Sequence, residues 1–360
     1  MDRKISRRRA LTTGAATAGL FMGACAQPSN ELTEEQSPGV PLDDVWGEDF
    51  LTQWSPPENV TRDLTAGPTP IRLSCGGYSL RNTPRREGEA MTPLPDQVKA
   101  VRDAGYTACE SGSLNWLDTP DSEIRELQDA LKHYDVMFYA LHQWSNIIDP
   151  DTERADNNQR SIIMGIESAE RIGLKHIVLH TGGRNPRNKD RPHKDNWTRE
   201  TWDMSVNAVK RILRDTAGST VDLGFEAVNC CNNNTPQSHL RLREDVGDSR
   251  VKVMLDPVNM LHPGVYFRTT ELLNLCFDLF GEDITYCHAK DALWDSMSTA
   301  IHEGIVLGQG CMDYEQFLAR MSRMAYTRPL LIEHLPMDDY PPSKAFIEDT
   351  AKKIGVTIYS

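Results

Sequence analysis

The stretch VDLGFEAVNCCNNNTPQSHLRLREDVGDSRVKVMLDPVN, from Val221 to Asn259, carries the pattern that decides the fold. It contains two short runs rich in branched and apolar residues, 222–226 and 251–256, and each run ends in a carboxylate. Runs of this kind are typical of strands buried on both faces of a parallel sheet. The segment between them is long enough for the crossover that a parallel pair requires. We therefore expect a βαβ unit here.

The same unit recurs along the chain. Amphipathic segments such as 96–104, ended by Gly105, and 202–213 predict helices between the strands. The predicted strands are residues 71–75, 107–110, 136–142, 176–180, 222–226, 251–256, 284–288 and 330–333. Eight such units predict a closed (β/α)8 TIM barrel, which we expect to occupy residues 69–360.

An open, doubly wound sheet is the alternative arrangement of βα units. Such a sheet more often carries a glycine-rich phosphate turn after its first strand. The segment in that place, Cys75-Gly76-Gly77-Tyr78, is too short to be this turn. The sequence therefore favours the barrel.

Most of the predicted strands end in a polar residue directly after an apolar run. In a barrel the carboxyl ends of all strands share one face, where the active site lies. Side chains from distant parts of the chain should therefore converge there. The strand-end residues are Glu110, His142, His180, Glu226, Asp256, His288 and Glu333.

Four of these residues predict a site for one divalent metal ion. Glu226, Asp256 and Glu333 would be costly to bury together without a cation to offset their charge. His288 completes a set of three oxygen donors and one imidazole. Without a thiolate, this set favours a fairly hard ion, with Mn²⁺ as the first choice and Mg²⁺, Co²⁺ or Zn²⁺ as alternatives. An ion-pair network with Lys290 and nearby arginines is the alternative interpretation.

The chain also resembles a known family, the xylose isomerase-like barrels, and within it the sugar phosphate isomerase/epimerase group that includes ketose 3-epimerases and inosose dehydratases. The resemblance covers residues 71–355. The motifs that carry it are Gly224-Phe225-Glu226, Met254-Leu255-Asp256-Pro257-Val258-Asn259, His288-Ala289-Lys290-Asp291, Gly308-Gln309-Gly310-Cys311-Met312-Asp313-Tyr314 and Ile332-Glu333-His334.

This resemblance implies that Glu226, Asp256, His288 and Glu333 bind Mn²⁺ or a similar ion. It further implies that Glu226 and Glu333 flank the substrate carbon whose proton moves, as the acid/base pair. One position departs from the pattern, because relatives often have a histidine where this chain has Asn259, and His262 follows three residues later. The substrate of this chain is therefore left open.

Further residues are predicted to face the substrate. His142 and His180 end strands, Lys290 could stabilise an enolate oxygen or pair with Asp291, and Asn259 lies near the predicted ligands. Trp116 and Trp144 follow strands two and three, where an aromatic face commonly packs on a sugar ring. The alternative for the two tryptophans is packing within the barrel rim, and the alternative for His142 and His180 is a histidine hydrogen-bonded within that rim. The basic loop 184–196 is either a lid that contacts substrate or a solvated insertion.

The N-terminal residues predict export. Arg7-Arg8 precedes a mildly apolar run of small residues, so residues 1–27 resemble a twin-arginine signal peptide, and Cys25 lies in a possible lipobox. A linker should follow over residues 28–68, which are rich in Pro, Glu, Asp, Ser and Thr. These features predict a periplasmic or envelope protein, attached to a membrane only through lipid on Cys25. A basic N-terminus that precedes a disordered arm by chance is the alternative.

The charge of the chain argues against nucleic acid as a partner. Residues 1–25 hold five basic side chains and one acidic side chain, so their removal takes the formal charge from −13 to −17. Phosphate backbones are bound by basic stripes, and we find none after the signal. A small carbohydrate is the expected partner, and a homo-oligomer remains open. The sequence also leaves open whether Cys230 and Cys231 form disulfides.

The expected function is that of a metal-dependent sugar isomerase or epimerase that abstracts a proton α to a carbonyl. Because sugar phosphates are cytoplasmic, an exported relative should act on free sugars or 3-keto-glycosides. On 3-keto-glycosides the same abstraction could lead to β-elimination, which would make the protein a lyase. Two weaker alternatives are an endonuclease IV-like phosphodiesterase and a non-catalytic periplasmic sugar-binding protein.

Overall fold

The inner layer of the described protein is a sheet of eight parallel strands, accompanied by a separate two-stranded hairpin. The structure is a computed structural model that describes residues 61–81, 92–112, 115–142, 144–189, 191–294 and 300–359. The strands in these residues are β1 (Arg72–Cys75), β2 (Ala108–Ser111), β3 (Met137–His142), β4 (His176–Leu179), β5 (Asp222–Glu226), β6 (Val251–Leu255), β7 (Ile284–Ala289), β8 (Ala292–Trp294), β9 (Ile301–Glu303) and β10 (Pro329–Ile332).

The eight-stranded sheet curls until its two edge strands, β1 and β2, approach each other. Its strand order is β1, β10, β7, β6, β5, β4, β3 and β2. Thr107 N donates to Leu73 O at 3.0 Å, and Leu80 N donates to Glu110 O at 2.8 Å, so backbone hydrogen bonds bridge the two edges. This nearly closed ring confirms the predicted (β/α)8 barrel. Each predicted strand agrees with the observed bounds to within one residue at either end.

Helices surround the barrel, and both predicted helices are observed with earlier starts. The Thr198 side chain accepts a hydrogen bond from Thr201 N at 3.3 Å, which makes it the N-cap of the helix that begins at Arg199. In the first helix Pro95 lies in the first turn, where its missing N–H costs little. The described helices are α1 (Leu94–Asp103), α2 (Asp121–Tyr134), α3 (Thr152–Ile172), α4 (Arg199–Asp215), α5 (Pro236–Val246), α6 (Thr269–Phe280), α7 (Tyr314–Ser322) and α8 (Tyr340–Ile354).

The hydrophobic core has two parts, because strand side chains alternate between the barrel interior and the helix layer. The larger part lies between strands and helices and includes the buried residues Cys75, Cys109 and Cys287. No disulfide joins any of the described cysteines, Cys230 and Cys231 included. The barrel interior is filled by Ala108, Tyr139, Ala140, Val178, Met254, Tyr286 and Leu331.

The end of the predicted linker packs against α7. Arg62 Nε donates to Asp313 Oδ2 at 2.7 Å, and Asp63 N donates to Gln316 Oε1 at 2.9 Å. The predicted signal peptide, Cys25 and linker residues up to 60 lie outside the described residues. Among the helices that the structure describes, none is both long enough and apolar enough to cross a membrane.

Asp291 holds together the loop between β7 and α7. Its carboxylate accepts hydrogen bonds from the backbone N–H groups of Ala292, Gly308, Gly310 and Met312, at 2.9 to 3.1 Å. Glycine is required at Gly308, where φ is +87° and a Cβ would overlap the Phe346 ring. The carboxylate thus orders this loop, and the predicted alternative that Asp291 pairs with Lys290 is wrong.

We predict that Asp291→Ala lowers the free energy of unfolding by at least about 3 kcal/mol, because each buried N–H that loses its acceptor costs roughly 1–3 kcal/mol. Urea denaturation followed by circular dichroism measures this change. The matched control is Asp129→Ala at an exposed position of α2, which should change the stability by no more than about 0.5 kcal/mol. A loss below about 1 kcal/mol for Asp291→Ala would contradict the role assigned to this carboxylate.

Candidate metal centre and active site

Four side chains meet at the carboxyl end of the barrel. Glu226 is the last residue of β5, Asp256 follows β6, His288 lies near the end of β7, and Glu333 follows β10. One potential ligand atom of each lies within 4.8 Å of the others. His288 Nδ1 is 3.3 Å from Glu226 Oε1, 3.3 Å from Asp256 Oδ2 and 2.8 Å from Glu333 Oε1. The structure therefore brings together all four residues predicted as metal ligands.

Lys290 lies in the same cluster. Its Nζ is 2.7 Å from Asp256 Oδ2 and 2.8 Å from Glu333 Oε1. The ion pair weighed as the alternative to a metal is thus present, with two of the carboxylates as partners. Lys290 supplies one positive charge against three buried carboxylates, and His288 adds none once it is neutral, as an imidazole that binds a metal must be. The remaining charge can be balanced by a divalent ion.

The charged side chains of the cluster strongly shift one another's pKa values. Burial alone would raise the pKa of Glu226, but the positive charges of His288 and Lys290 hold this pKa well below its usual range. Burial alone would lower the pKa of Lys290, but Asp256 and Glu333 raise it well above its usual range. Glu226 is therefore ionised at neutral pH, which is the form that binds cations.

The donor set fits a divalent cation. Glu226, Asp256 and His288 have no exposed surface, and only 7% of Glu333 is exposed. Glu226 Oε2 is buried and has no hydrogen-bond partner among the described residues. Three carboxylates and one imidazole nitrogen suit Mn²⁺, Mg²⁺, Co²⁺ or Zn²⁺. These four residues could therefore hold such an ion.

His142 and Asn259 border the cluster on the side of Glu226. Asn259 Nδ2 donates to Glu226 Oε1 at 3.0 Å, and His142 Nε2 lies 3.6 Å from Glu226 Oε2. On its other side, His142 Nδ1 lies 3.5 Å from Glu110 Oε1. Burial alone would lower the pKa of His142, but Glu110 and Glu226 raise it to about 9. His262, the alternative to Asn259, is exposed and accepts a hydrogen bond from Gly264 N at 3.2 Å.

A cavity of about 640 Å³ lies next to the cluster and is lined by its neighbours Asn259, Glu303 and His334. Trp144 lines one wall, and its ring centroid is 4.4 Å from that of His142 and 5.1 Å from that of His180. The basic loop contributes Asn188 and Arg191 to the lining, so part of this loop borders the mouth. A cavity of this size and polarity accommodates a small, hydroxyl-rich molecule beside the four ligands.

The family of the chain can be identified from its sequence. A sequence model of the family described as xylose isomerase-like TIM barrel matches residues 98–352. The chain belongs to this family. A comparison with curated protein sequences gives no match.

Solved structures of xylose isomerase-like proteins share the fold at low sequence identity. One from Mycobacterium smegmatis, in complex with magnesium, is 15% identical, with 79% of this chain and 96% of that chain covered and a TM-score of 0.58. L-ribulose 3-epimerase is 17% identical over 81% and 89% of the two chains, with a TM-score of 0.53. 3-Keto-D-glucoside 4-epimerase from E. coli is 16% identical over 79% and 99%, with a TM-score of 0.51.

Trp116 lies elsewhere in this xylose isomerase-like barrel, which corrects the prediction that it faces the substrate. Its side chain is fully buried. The Arg81 guanidinium lies 3.7 Å from its ring centroid, and the Phe138 ring lies 5.8 Å away. The large apolar ring of Trp116 therefore packs between strands and helices and not at the mouth of the barrel.

Sequence reasoning did not assign roles to three residues of the barrel that border the site. Glu303, on the β8–β9 hairpin, has its Oε2 3.9 Å from Lys290 Nζ, and no sequence pattern pointed to it. Tyr286 precedes His288 by two positions, so both side chains point into the barrel. The period of two along a strand could have predicted that Tyr286 lies near the site. Glu110 was noted only as a strand-end residue. Tyr286 OH donates to Glu110 Oε2 at 3.0 Å.

We predict that the purified protein, stripped with chelator and refilled with Mn²⁺, binds about one ion per chain, as measured by elemental analysis. Asp256→Asn should reduce this occupancy severalfold, because it removes a charge that the ion neutralises. The matched control is Asp129→Asn on the exposed face of α2, which should bind as the parent does. Full occupancy in Asp256→Asn would exclude Asp256 as a ligand.

Proposed function

We propose that the protein is a cation-dependent sugar epimerase or isomerase that moves a proton on a carbon next to a carbonyl group. The observation that carries this proposal is the pair of glutamates, Glu226 and Glu333, in one buried cluster next to a cavity of about 640 Å³. Two carboxylates beside one substrate carbon can serve as base and acid. The likeness in fold to L-ribulose 3-epimerase and 3-keto-D-glucoside 4-epimerase supports this choice.

Each glutamate has a defined place in the proposed reaction. Glu226 and Glu333 come from strands three positions apart in the ring, with β6 and β7 between them. Their carboxylates therefore approach a bound substrate from different sides. One removes the proton and the other returns a proton to the opposite face of the same carbon. In an isomerase the proton would instead be returned to the neighbouring carbon, while a second proton moves from the hydroxyl oxygen to the former carbonyl oxygen. Lys290, with its Nζ between Asp256 and Glu333, stabilises negative charge that develops on the substrate oxygen.

A divalent ion held by Glu226, Asp256, His288 and Glu333 would polarise a carbonyl or hydroxyl oxygen of the substrate. We favour Mn²⁺, because three oxygen donors and one nitrogen donor suit an ion of intermediate hardness. The magnesium complex of the M. smegmatis protein with the same fold supports a divalent ion of this kind. His142, His180, Asn259 and Trp144 are proposed to contact the sugar.

The size of the cavity favours a second candidate activity. A volume of about 640 Å³ leaves room for a substituent beyond one sugar ring. A 3-keto-glycoside would fill this space, and proton abstraction next to its carbonyl could expel the aglycone, which is the reaction of a lyase.

Phosphodiester cleavage on several metal ions is less well supported, because the described residues contain one group of potential ligands. A non-catalytic binding protein would not require two glutamates placed to act as acid and base.

We expect Glu226→Gln and Glu333→Gln each to reduce turnover by about 10²- to 10⁴-fold, the usual contribution of a general acid or base. The assay incubates Mn²⁺-loaded protein with ketoses and 3-keto-glycosides in deuterated water and follows deuterium at the α-carbon by NMR. Epimerisation and elimination give different products in the same spectra. The matched control is Glu126→Gln, at an exposed position of α2.

Metal occupancy must be measured with each rate, because both glutamates are also proposed ligands. A variant that loses activity together with its ion reports on binding, so rates are compared at saturating Mn²⁺. Parental exchange and turnover in both fully loaded variants would refute the two-glutamate mechanism.

We infer that the protein is exported in the folded state, because Arg7-Arg8 precedes a mildly apolar run of small residues. Replacing both arginines by lysine should leave the precursor in the cytoplasm, as followed by cell fractionation and immunoblotting. Arg3→Lys is the control and should be exported normally. Unchanged delivery of the double variant to the envelope would exclude this route.

A further inference from the structure

A fourth buried carboxylate, Glu110, lies beside the proposed site but contributes nothing to the metal cluster. Only 5% of Glu110 is exposed. Tyr286 OH donates to its Oε2 at 3.0 Å, and Ser79 Oγ lies 3.5 Å from its Oε1. A carboxylate buried in the barrel interior costs free energy unless it is paired. Its presence calls for a reason beyond packing.

His142 connects Glu110 with Glu226. Its Nδ1 lies 3.5 Å from Glu110 Oε1, and its Nε2 lies 3.6 Å from Glu226 Oε2. The imidazole is 4% exposed, and the Trp144 ring covers it with centroids 4.4 Å apart. The ring therefore has a carboxylate at each nitrogen and an aromatic wall on one face, which together define its orientation.

The two oxygens of Glu226 face different partners. Oε1 lies 3.3 Å from His288 Nδ1 and accepts from Asn259 Nδ2, so it faces the metal cluster. Oε2 faces His142 and has no hydrogen-bond partner among the described residues. Rotation of the His142 ring would therefore change the surroundings of Oε2 without directly touching the contacts of Oε1.

We propose that Glu110 is a positioning residue, which acts through the His142 ring to fix the orientation of the Glu226 carboxylate. This inference rests on the proposed function, in which Glu226 is an acid/base group. Replacement of a residue that orients a metal ligand by contacts outside the ligand set commonly lowers metal affinity or activity by 10- to 100-fold. Glu110 lies at Nδ1 of His142 and Glu226 at Nε2, and the Tyr286 hydroxyl holds the Glu110 carboxylate from within the barrel.

The first test needs no substrate. Crystal structures of the Mg²⁺-loaded parent and of Glu110→Ala are compared at the His142 ring and the Glu226 carboxylate. We expect the ring to rotate and the Glu226 carboxylate to turn in Glu110→Ala. Glu110→Gln, which keeps an acceptor at Oε1, should retain the parental arrangement. An unchanged His142 ring and Glu226 carboxylate in Glu110→Ala would overturn the proposal.

The second test measures α-proton exchange with D-fructose and D-tagatose in deuterated water, at saturating Mg²⁺. Glu110→Ala should lower kcat by about 10- to 100-fold with little change in KM, and Glu110→Gln should recover much of this loss. The matched control is Tyr139→Phe, which removes the 3.2 Å bond to Ser74 Oγ in the same barrel interior. If Glu110→Ala does not fold, Tyr286→Phe, which removes the hydrogen bond to Glu110 Oε2, replaces it, and parental kcat and geometry in Tyr286→Phe overturn the proposal.

The outcomes separate this inference from the proposed function. Parental exchange in Glu226→Gln would show that the proposed function is wrong. Loss of exchange in Glu226→Gln with parental kcat and parental geometry in Glu110→Ala would overturn only the positioning role. Equal losses in Glu110→Ala and Tyr139→Phe would also overturn it, because they would indicate a general weakening of the barrel interior.

Discussion

The repulsion among three buried carboxylates is the constraint on which the rest of the site depends. Glu226, Asp256 and Glu333 lie close enough to share one counter-charge, and all are nearly inaccessible to water. In such surroundings unpaired negative charges are very unfavourable, so the protein must supply cations or bind them. Lys290 supplies one charge, and its ammonium group lies between two of the carboxylates. A divalent ion could balance the remaining charge.

The barrel makes this arrangement possible because it is rigid around the cluster. Each ligand lies within a residue of the end of a strand, and each of these strands is hydrogen-bonded to parallel neighbours. The β7–α7 loop, which must pass over the site, is ordered by the Asp291 carboxylate through four backbone N–H groups. Tyr314 OH also donates to Lys290 O at 2.6 Å, so the loop and the lysine backbone are held together. A charged cluster can therefore persist without collapse of the surrounding backbone.

The sequence predicted the strands and the four clustered side chains well because both depend on local patterns. Apolar runs that end in a carboxylate or histidine locate strand ends, and barrel topology brings those ends together. The features that could not be predicted from the sequence depend on packing between distant segments. Trp116 follows β2, where an aromatic residue at the rim is common, but Arg81 and Phe138 pack against its ring and it is buried. Glu303 lies near Lys290 only because a hairpin folds over the mouth. No periodicity within the sequence could reveal either arrangement.

Charge balance explains how a lysine and a cation site share the same carboxylates. Three carboxylates, one ammonium group, one neutral imidazole and one divalent ion sum to zero, which is the least costly state for a buried cluster. A monovalent ion would leave a net negative charge, and a protonated His288 beside a divalent ion would leave a net positive one. His288 would then have to be neutral when the ion is bound, as an imidazole ligand requires. In the proposed reaction the same balance would let a substrate oxygen gain negative charge near Lys290 while a proton moves to a neighbouring glutamate, because the total charge of the site would not change.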